Sequence, residues 1–517
     1  MANSLDRPSI TADGDFSKSG AQHVDEALSK SVEDYAIATP ESLRDMTDDD
    51  LQKLETKMVR KVDFVILPII TVLYILNFVD RSALAASKVY GITKDLNMSE
   101  RDFATAISIL FVGYIPFQIP SNLIITKVSR PGLYICSAAL IWGCVSAATA
   151  AVQTYQSLLA VRVFLGVTEA VFFPGVIYFL SAWYTKNELG KRLAGLFIAQ
   201  QLGSAFGGFV AAACLTLDGR HGIAGWRWLF IVLNVLGGNS EGVVTVGCGI
   251  LFALVMPEYP HNARLLSPVE RDYAVWRLEK EAGVGEAHED TSTRQGFVLA
   301  LKDPKIWALV WCMFMTQAIG SSGNFFPSIV QTLGYGKNQT LLLTAPPYLF
   351  AVLVFIGASW ASDRYNSIYS MIVGSLGVGV IAFSISLATL NTGARYFAMM
   401  LMPTAVALPQ IMMYKTLNLH MARPYPKRSA GTAMINSLGG LSNIWASYLW
   451  YAPPHYNAAF GCLLGCVAVF FLTITTYRWH VRSLNKLLDG TPEQQRKAMK
   501  SGVTQQQIDL GWRYIGY

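Results

Sequence analysis

The chain has 517 residues, of which 52% are hydrophobic and only 15% are charged. Soluble domains carry about 25% charged residues, so this composition argues against a soluble protein. The net charge of +6 is small and lies mostly in tails and loops, which gives no support for a nucleic-acid partner. The seven cysteines form no CxxC pair and have no histidine at metal-binding spacing. We therefore predict no metal site and no cofactor.

Long apolar segments occupy most of the chain, each near the ~20 residues that cross a bilayer as a helix. Six precede a polar middle segment and six follow it. The predicted spans are 62–79, 104–126, 133–152, 156–183, 189–215, 227–256, 306–330, 341–361, 369–390, 394–421, 430–451 and 457–477. This pattern predicts an all-α membrane protein with two bundles of six helices.

The charged residues mark the limits between these parts. The predicted parts are a polar N-terminal tail (1–60), a first bundle (61–256), a linker (257–304), a second bundle (305–478) and a C-terminal tail (479–517). Loop charges are nearly balanced, but the basic residues that flank the first and last spans favour cytosolic tails. The two N-x-S/T sequons, at Asn97 and Asn338, then fall in outer loops and are predicted glycosylation sites. We predict a plasma-membrane location, with the first span as an uncleaved signal anchor.

The polar middle segment carries a helix signal of its own. Ser267-Pro268-Val269-Glu270 has the pattern of a capping box with proline at the first helical position. It opens an amphipathic stretch that we expect to end near Glu281 and to lie on the cytosolic face. The segment from Gly283 to Arg294 is then predicted to be a flexible linker. Two helical bundles joined in this way are typical of transporters with a substrate site between the halves.

Several strings along the chain resemble the major facilitator superfamily, and within it the fungal allantoate permease branch of the anion:cation symporters. They are NFVDRSALAASKVYGITKDL, PSNLIITKVSRPG, RVFLGVTEAVFFPGVIYFLSAWYTKNELGKR, GIAGWRWLF, LTAPPYLFA, SDR at Ser362–Arg364, and PKRSAGTA. The resemblance runs from about Lys61 to Arg482. It implies the twelve-helix major facilitator fold and a monomeric carrier in the lipid bilayer, with a small anionic substrate and protons as the coupling ion.

The chain departs from that family at two places. Similar proteins usually have glutamate where Gln118 stands, so no proton can be carried at this position. The sixth span also has seven residues, Asn234–Ser240, that the family pattern lacks. They would add about 10 Å of helix, which indicates an unspliced or wrongly assigned coding segment, or else a local bulge.

Two charged residues lie inside the fourth predicted span. Arg162 and Glu169 are seven positions apart, so their side chains project from one stripe of the helix, about 10 Å apart along its axis. Charges at that depth are costly, which favours a wet or polar surrounding. We predict that Arg162 meets a substrate carboxylate or a nearby aspartate and that Glu169 carries a proton. The alternative is a structural ion pair that braces two helices.

The first span ends with Asp80 and Arg81. By themselves they are explained as a polar helix end at the outer surface. The family resemblance implies that the arginine meets the anion and that the aspartate exchanges a proton. Arginine suits this role because its planar fork holds a carboxylate through two hydrogen bonds.

Other polar residues on apolar helices are predicted to bind substrate, although contacts between helices explain them equally well. They are Asn77, Gln200, Gln317, Asn324, Tyr348 and Tyr414, with Gln201, Ser321, Gln410 and Lys415 as further candidates. Charges at the cytosolic helix ends are predicted to form gating pairs, or else to act as topological anchors. These are Asp363, Arg364, Lys427 and Arg428.

These observations predict proton symport of a small organic carboxylate by alternating access. Export of a fungal metabolite by the same fold is the first alternative, because direction depends on gradients that a sequence does not record. A nutrient sensor that does not transport is a second alternative. An enzyme would need a nucleophile–base set, a metal cluster or a nucleotide-binding loop, and the sequence has none of these patterns, so we predict that the protein is not an enzyme.

Overall fold

The structure is a computed structural model of the whole chain. It describes residues 39–234, 245–286, 293–365, 367–421 and 425–499, together with 503, 508, 513, 514, 516 and 517. All regular secondary structure in these ranges is helical. The seven-residue insertion predicted at Asn234–Ser240 lies almost wholly outside the described residues.

Nine α-helices lie in the described residues before the middle segment. They are α1 (Asp48–Tyr90), α2 (Ile92–Asp95), α3 (Glu100–Ile125), α4 (Pro131–Ala148), α5 (Tyr155–Glu169), α6 (Phe172–Ser181), α7 (Lys186–Leu215), α8 (Gly225–Asn234) and α9 (Thr245–Val255). The middle segment contributes α10 (Pro268–Glu286) and α11 (Thr293–Lys302).

The described residues of the second half are also helical. Its helices are α12 (Pro304–Asn324), α13 (Phe326–Gln331), α14 (Lys337–Leu342), α15 (Ala345–Tyr365), α16 (Ile368–Ala388), α17 (Thr392–His420), α18 (Tyr425–Gly440), α19 (Ser442–Ala446), α20 (Asn457–Leu488) and α21 (Pro492–Met499).

Nine helical stretches in the described ranges are long and apolar enough to cross a membrane. They coincide with nine of the twelve predicted spans. The other three predicted spans, 227–256, 306–330 and 430–451, are each divided between two consecutive helices: α8 and α9, α12 and α13, and α18 and α19. The fold class predicted from the sequence, an all-α membrane protein of two helical bundles, is confirmed.

Helix α1 is much longer than a membrane span. Its 43 residues extend about 64 Å, whereas the hydrocarbon core of a bilayer is about 30 Å thick. The Thr47 side chain caps the N-terminus by accepting a hydrogen bond from the backbone N–H of Asp50. The three aspartates of the first turn stabilise the helix further, because their negative charges lie at the positive end of the helix dipole. Gly91, at φ 105°, ends the helix in the left-handed region. The first turns of α1 therefore project beyond the predicted bilayer.

The predicted capping box of the middle segment is confirmed. Ser267 N donates to Glu270 Oε2 at 2.9 Å, and Glu270 N donates to Ser267 Oγ at 3.3 Å. The helix continues to Glu286, beyond the predicted end at Glu281, so part of the predicted flexible linker is helical. Within that linker, residues 287–292 lie outside the described ranges. Lys61 Nζ of α1 forms an ion pair with Glu270 Oε1 of this helix, at 2.7 Å, and so connects the two helices.

Contacts between the two bundles lie on both sides of the molecule. On the side predicted to be extracellular, the Tyr448 hydroxyl lies 3.0 Å from Thr105 Oγ1. On the opposite side, the ring of Phe197 in α7 lies 5.9 Å from the ring of Tyr414 in α17. A central cavity lies between these two levels.

The C-terminal segment docks on the second bundle. Tyr514 is buried, and its hydroxyl accepts a hydrogen bond from Lys305 Nζ at 2.8 Å. Its backbone exchanges two hydrogen bonds with the Asn485 side chain of α20, at 2.8 and 3.0 Å. The described end of the chain is therefore part of the packed structure.

Candidate functional site

A cavity of about 200 Å³ lies between the two bundles. Both halves contribute side chains to its wall, mainly from α1, α3 and α7 in the first half and from α12, α15, α17 and α18 in the second. The wall combines aromatic rings with amides and hydroxyls. A concave site that sets polar groups among aromatic side chains is typical of binding sites for small molecules.

Arg81 carries the one formal charge among the described residues that line this cavity. Its guanidinium lies 4.8 Å from the centre of the Tyr114 ring and 5.5 Å from that of Phe78. The side chain is 22% exposed, so it reaches the cavity and is not sealed in the protein interior. Aromatic faces attract a cation, which helps to hold the guanidinium in place.

Glu169 is the ion-pair partner of Arg81. Arg81 Nε donates to Glu169 Oε2 at 2.6 Å, and the carboxylate is fully buried. Glu169 is the last residue of α5, directly before the break that separates α5 from α6. Its second oxygen, Oε1, has no hydrogen-bond partner in the described part of the chain. A buried carboxylate with one open oxygen can accept a proton without first breaking another contact.

Two further charged groups lie behind this pair. Arg162 is 3% exposed, and its Nε donates to the Ala106 carbonyl oxygen at 3.3 Å. Asp80 is 1% exposed, and Ser146 Oγ donates to its Oδ1 at 3.3 Å. Arg162 lies within electrostatic range of Glu169, Arg81 and Asp80. The four groups therefore form one set, which we call the charge quartet; Asp80, Arg162 and Glu169 are buried, and Arg81 reaches the cavity.

The charge quartet is electrically neutral when all four groups are ionised, because it has two cations and two anions. Adding one proton to either acid leaves one net positive charge next to the cavity. Charge is expensive in a low-dielectric interior, so a protonated quartet favours the entry of an anion that restores neutrality. The arrangement can thus link the binding of a proton to the binding of an anion.

The structure brings together most of the residues predicted to bind substrate. The cavity wall includes Arg81, Gln200, Gln317, Asn324, Tyr348 and Tyr414, and also Gln201 and Gln410. Asn77 and Arg162 are buried and do not line the cavity. Ser321 accepts a hydrogen bond from Trp450 Nε1 at 3.1 Å, and Lys415 Nζ donates to Ser362 Oγ at 3.1 Å. Arg162 therefore does not face the cavity and is separated from it by neighbouring residues.

Sequence reasoning missed Tyr114 and Asn436, both in the cavity wall. Tyr114 lies one turn before Gln118 on α3, so helical spacing from that polar residue could have drawn attention to it. Gln118 Oε1 accepts hydrogen bonds from Asn436 Nδ2 and Ser437 Oγ, each at 3.1 Å. The Tyr414 hydroxyl donates to Asn436 Oδ1 at 3.1 Å. These contacts form a neutral bridge between the bundles.

The residues predicted to gate the cytosolic side differ in burial and in their contacts. Lys427 is buried and lies 2.6 Å from Asp303, and both belong to the second half of the chain. Arg364 is exposed at the end of α15, and Arg428, beside Lys427, is half-buried. The side chain of Asp363 is outside the described part of the structure. The ion pair of Lys427 therefore joins α18 to the residue that precedes α12.

Both predicted glycosylation sequons are at the surface. Asn97 is exposed in the turn after α2, with φ at 50°, and Asn338 is exposed on α14. Their positions are compatible with modification, which stays a prediction.

Comparison with known proteins agrees with this architecture. The family model described as Major Facilitator Superfamily matches residues 70–447. The chain belongs to the Major Facilitator Superfamily. It is 30% identical to an uncharacterized transporter of Schizosaccharomyces pombe, over 87% of this chain and 92% of that protein. As a member of this superfamily, the protein is a multi-pass membrane transporter.

Two other similarities bear on the family assignment and the fold. The chain is 30% identical to an Agrobacterium vitis protein named "Putative tartrate transporter", over 75% of this chain and 86% of that one. It also resembles the solved structure of the proton:xylose symporter XylE, with a TM-score of 0.61 and 15% identity, over 80% of this chain and 95% of that one. At that identity, the second similarity concerns the fold alone.

Proposed function

We propose that this transporter carries a small organic carboxylate together with a proton, by alternating access of the central cavity. The observation that carries the proposal is the contact between Arg81 and Glu169. The cation lines the cavity, while the anion that neutralises it lies behind it, fully buried.

The contact gives a substrate carboxylate and Glu169 a common partner. While Glu169 is ionised, it occupies the guanidinium and offsets its charge. A proton on Glu169 weakens that ion pair and leaves Arg81 with charge to offer to an anion in the cavity. Loss of the proton restores the internal pair and expels the anion, so the two species move together.

The cavity wall suits a polar organic anion. Gln200, Gln317 and Asn324 offer amide donors and acceptors around the cation, and Tyr348 and Tyr414 offer hydroxyls. Similarity to a protein named for tartrate, which is a hydroxylated carboxylate, supports the same substrate class. Asp80 lies in the charge quartet as a second proton acceptor.

The proposal includes a direction and a location. We place the protein in the plasma membrane with both tails in the cytosol, and transport follows the inward proton gradient. The basic residues at the N-terminal end of α1 support this orientation.

Uptake by proteoliposomes tests the proposal. The purified protein is reconstituted, an inward proton gradient is imposed, and accumulation of labelled carboxylates is compared with that of neutral analogues of the same size. We expect accumulation of at least one carboxylate that collapses when a protonophore removes the gradient. Accumulation that is equal for neutral analogues, or that survives the protonophore, would contradict the proposal.

A further inference from the structure

A groove lined by basic residues opens on the surface at the N-terminal end of α1. It has a volume of about 770 Å³. Its wall, which we call the basic groove, consists of Gln52, Lys53, Thr56, Lys57, Arg60, Lys61, Phe64, Val65 and Leu265. None of these residues lines the central cavity, so the groove is a separate feature of the molecule.

The basic residues of the groove share one face of α1. The spacing follows the helical repeat: intervals of four, three and one residues separate Lys53, Lys57, Arg60 and Lys61. Phe64 follows three residues after Lys61, on the same face. The chain before α10 closes the other wall with Leu265. The positive charges are therefore concentrated along one channel and not spread around the helix.

Two of the four basic side chains in the groove have no acidic partner within the described part of the chain. Lys53 pairs with Asp49 at 2.5 Å, and Lys61 pairs with Glu270 at 2.7 Å. Lys57 and Arg60 are exposed and have neither an ion pair nor a hydrogen bond with any described residue. An exposed pair of cations at the side of a groove can bind an external anion.

The apolar end of the groove shows where that anion lies relative to the bilayer. Phe64 is 83% exposed and stands at the start of the first predicted span. Arg60 is one turn before it, about 6 Å along the helix axis, and Lys57 is about 10 Å away. The headgroup layer of a bilayer begins where the hydrocarbon ends and is several ångströms thick. The cations thus lie at headgroup depth, with apolar side chains at acyl-chain depth.

We propose that the basic groove is a binding site for an anionic phospholipid. Lys57 and Arg60 hold the phosphate and acidic headgroup, and the acyl chains lie against Phe64, Val65 and Leu265. Charge complementarity and the change from basic to apolar along one channel match the two ends of such a lipid. The bound lipid spans α1 and the chain before α10, so it stabilises the docking of the middle segment.

Lipid-dependent thermal unfolding of the purified full chain tests this site. The probe is dioctanoyl phosphatidylserine, added to delipidated protein in detergent, with dioctanoyl phosphatidylcholine as the neutral lipid. We expect stabilisation by the serine lipid at concentrations where the choline lipid has little effect. The double variant K57Q/R60Q should bind the serine lipid about thirtyfold more weakly, because two basic contacts are lost.

Two further variants separate a defined site from general surface charge. K127Q/K302Q removes two exposed charges from the same membrane side and should bind the lipid like the unmodified protein. K57R/R60K keeps both charges and should restore binding. An equal loss in K127Q/K302Q, or unchanged binding by K57Q/R60Q, would overturn the proposal.

The source of the anion is tested with glycerophosphoserine, the same headgroup without acyl chains. We expect it to bind far more weakly than the lipid, because it cannot reach Phe64 and Val65. Equal affinity for the two compounds would mean that the groove takes a soluble anion, and would reject a lipid site.

Discussion

Arg81 Nε lies 2.6 Å from Glu169 Oε2, although the two residues are 88 positions apart in the chain. The contact joins α1, which continues beyond Arg81 to Tyr90, to the end of α5 at the break in the fourth span. The two residues form an ion pair whose Arg81 side lines the cavity. Behind the pair lie the buried residues Asp80 and Arg162. The transport mechanism proposed above depends on this ion pair.

Arg81→Lys tests the cation. Lysine keeps the positive charge but loses the planar fork that can hold two carboxylate oxygens, so substrate binding should weaken sharply. We expect the half-saturation concentration for the transported carboxylate to rise at least tenfold, since charge-assisted hydrogen bonds contribute about 1.5–3 kcal/mol. Initial uptake rates over a range of substrate concentrations measure this.

Arg227→Lys is the matched control for that variant. Arg227 donates to the Ala150 carbonyl oxygen and does not line the cavity. Its half-saturation concentration should stay near that of the unmodified transporter. A near-normal value for Arg81→Lys would count against a direct role of Arg81 in anion binding.

Gln118→Leu tests the neutral bridge between the bundles. The change removes the acceptor of two hydrogen bonds, each contributing about 0.5–1.5 kcal/mol, so the side of the cavity near Tyr414 should open more often. We expect several-fold faster labelling of a cysteine placed at Gln410, in a cysteine-free background, by a reagent supplied from that side. The substrate affinity should change little, because Gln118 does not line the cavity.

Ser108→Ala is the counterpart on the opposite side. Its hydroxyl lies 3.4 Å from the Tyr448 hydroxyl, across the other contact between the bundles. Its loss should speed labelling from the extracellular side. If Gln118→Leu left both labelling rates unchanged, the bridge would have no part in closing the cavity.

The docking of α10 on α1 should depend on pH through Glu270. Burial raises the pKa of this carboxyl, but hydrogen bonds from Lys61 and Ser267 outweigh that effect and hold the pKa below its usual value. A lowered pKa means that the contact stabilises the folded state above pH 4.5 and that the benefit is lost as the pH falls further. The protection of α10 amides against hydrogen exchange, relative to the intrinsic rate at each pH, should therefore fall between pH 5 and pH 3 more than in Glu270→Gln. Equal pH dependence in both proteins would contradict this assignment.

Tyr514→Ala tests the docked C-terminal segment. The variant loses a buried ring and the hydroxyl that accepts from Lys305, which should destabilise the second bundle by about 3 kcal/mol. Tyr365→Ala removes a tyrosine that is 68% exposed and serves as control. The midpoint of thermal unfolding in detergent should fall clearly for the first variant alone. Similar midpoints would show that the segment adds little to stability.

The helical fold follows almost directly from the sequence, because apolar runs near the thickness of a bilayer leave few alternatives. The helix breaks were not predicted from the apolar runs. One break follows Glu169 and another lies at Phe325. Pro174 and Pro327 stand in the first turn of the helix after each break, and proline interrupts a helix that would continue through it. The capping box at Ser267 was predictable because its residues are local.

The site was predictable as a set of residues but not as a set of contacts. Glu169 was recognised as a charge at membrane depth and Arg81 through the family resemblance, yet the sequence gives no signal that they meet. Helical spacing pointed to Arg162 as the neighbour of Glu169 on one stripe. The structure shows Glu169 paired with the cation of a different helix, because the approach of α1 to α5 decides which cation is nearest.

The contacts of Gln118 were also not predictable from the sequence. Its identity predicted only that no proton is carried at that position. Its role as an acceptor for Asn436 and Ser437 depends on the distance between two bundles that are far apart in sequence.

The most direct test of the proposed mechanism is proton-driven uptake by Glu169→Gln in proteoliposomes. Glutamine cannot carry the proton, but it leaves Arg81 free to bind the anion. Glu100→Gln is the matched control, because it breaks a second ion pair, with Lys88, outside the cavity. We predict that Glu169→Gln loses accumulation against the gradient while exchange of internal for external carboxylate continues, and that the control keeps both. Unchanged accumulation by Glu169→Gln would contradict the coupling of proton and anion at this pair.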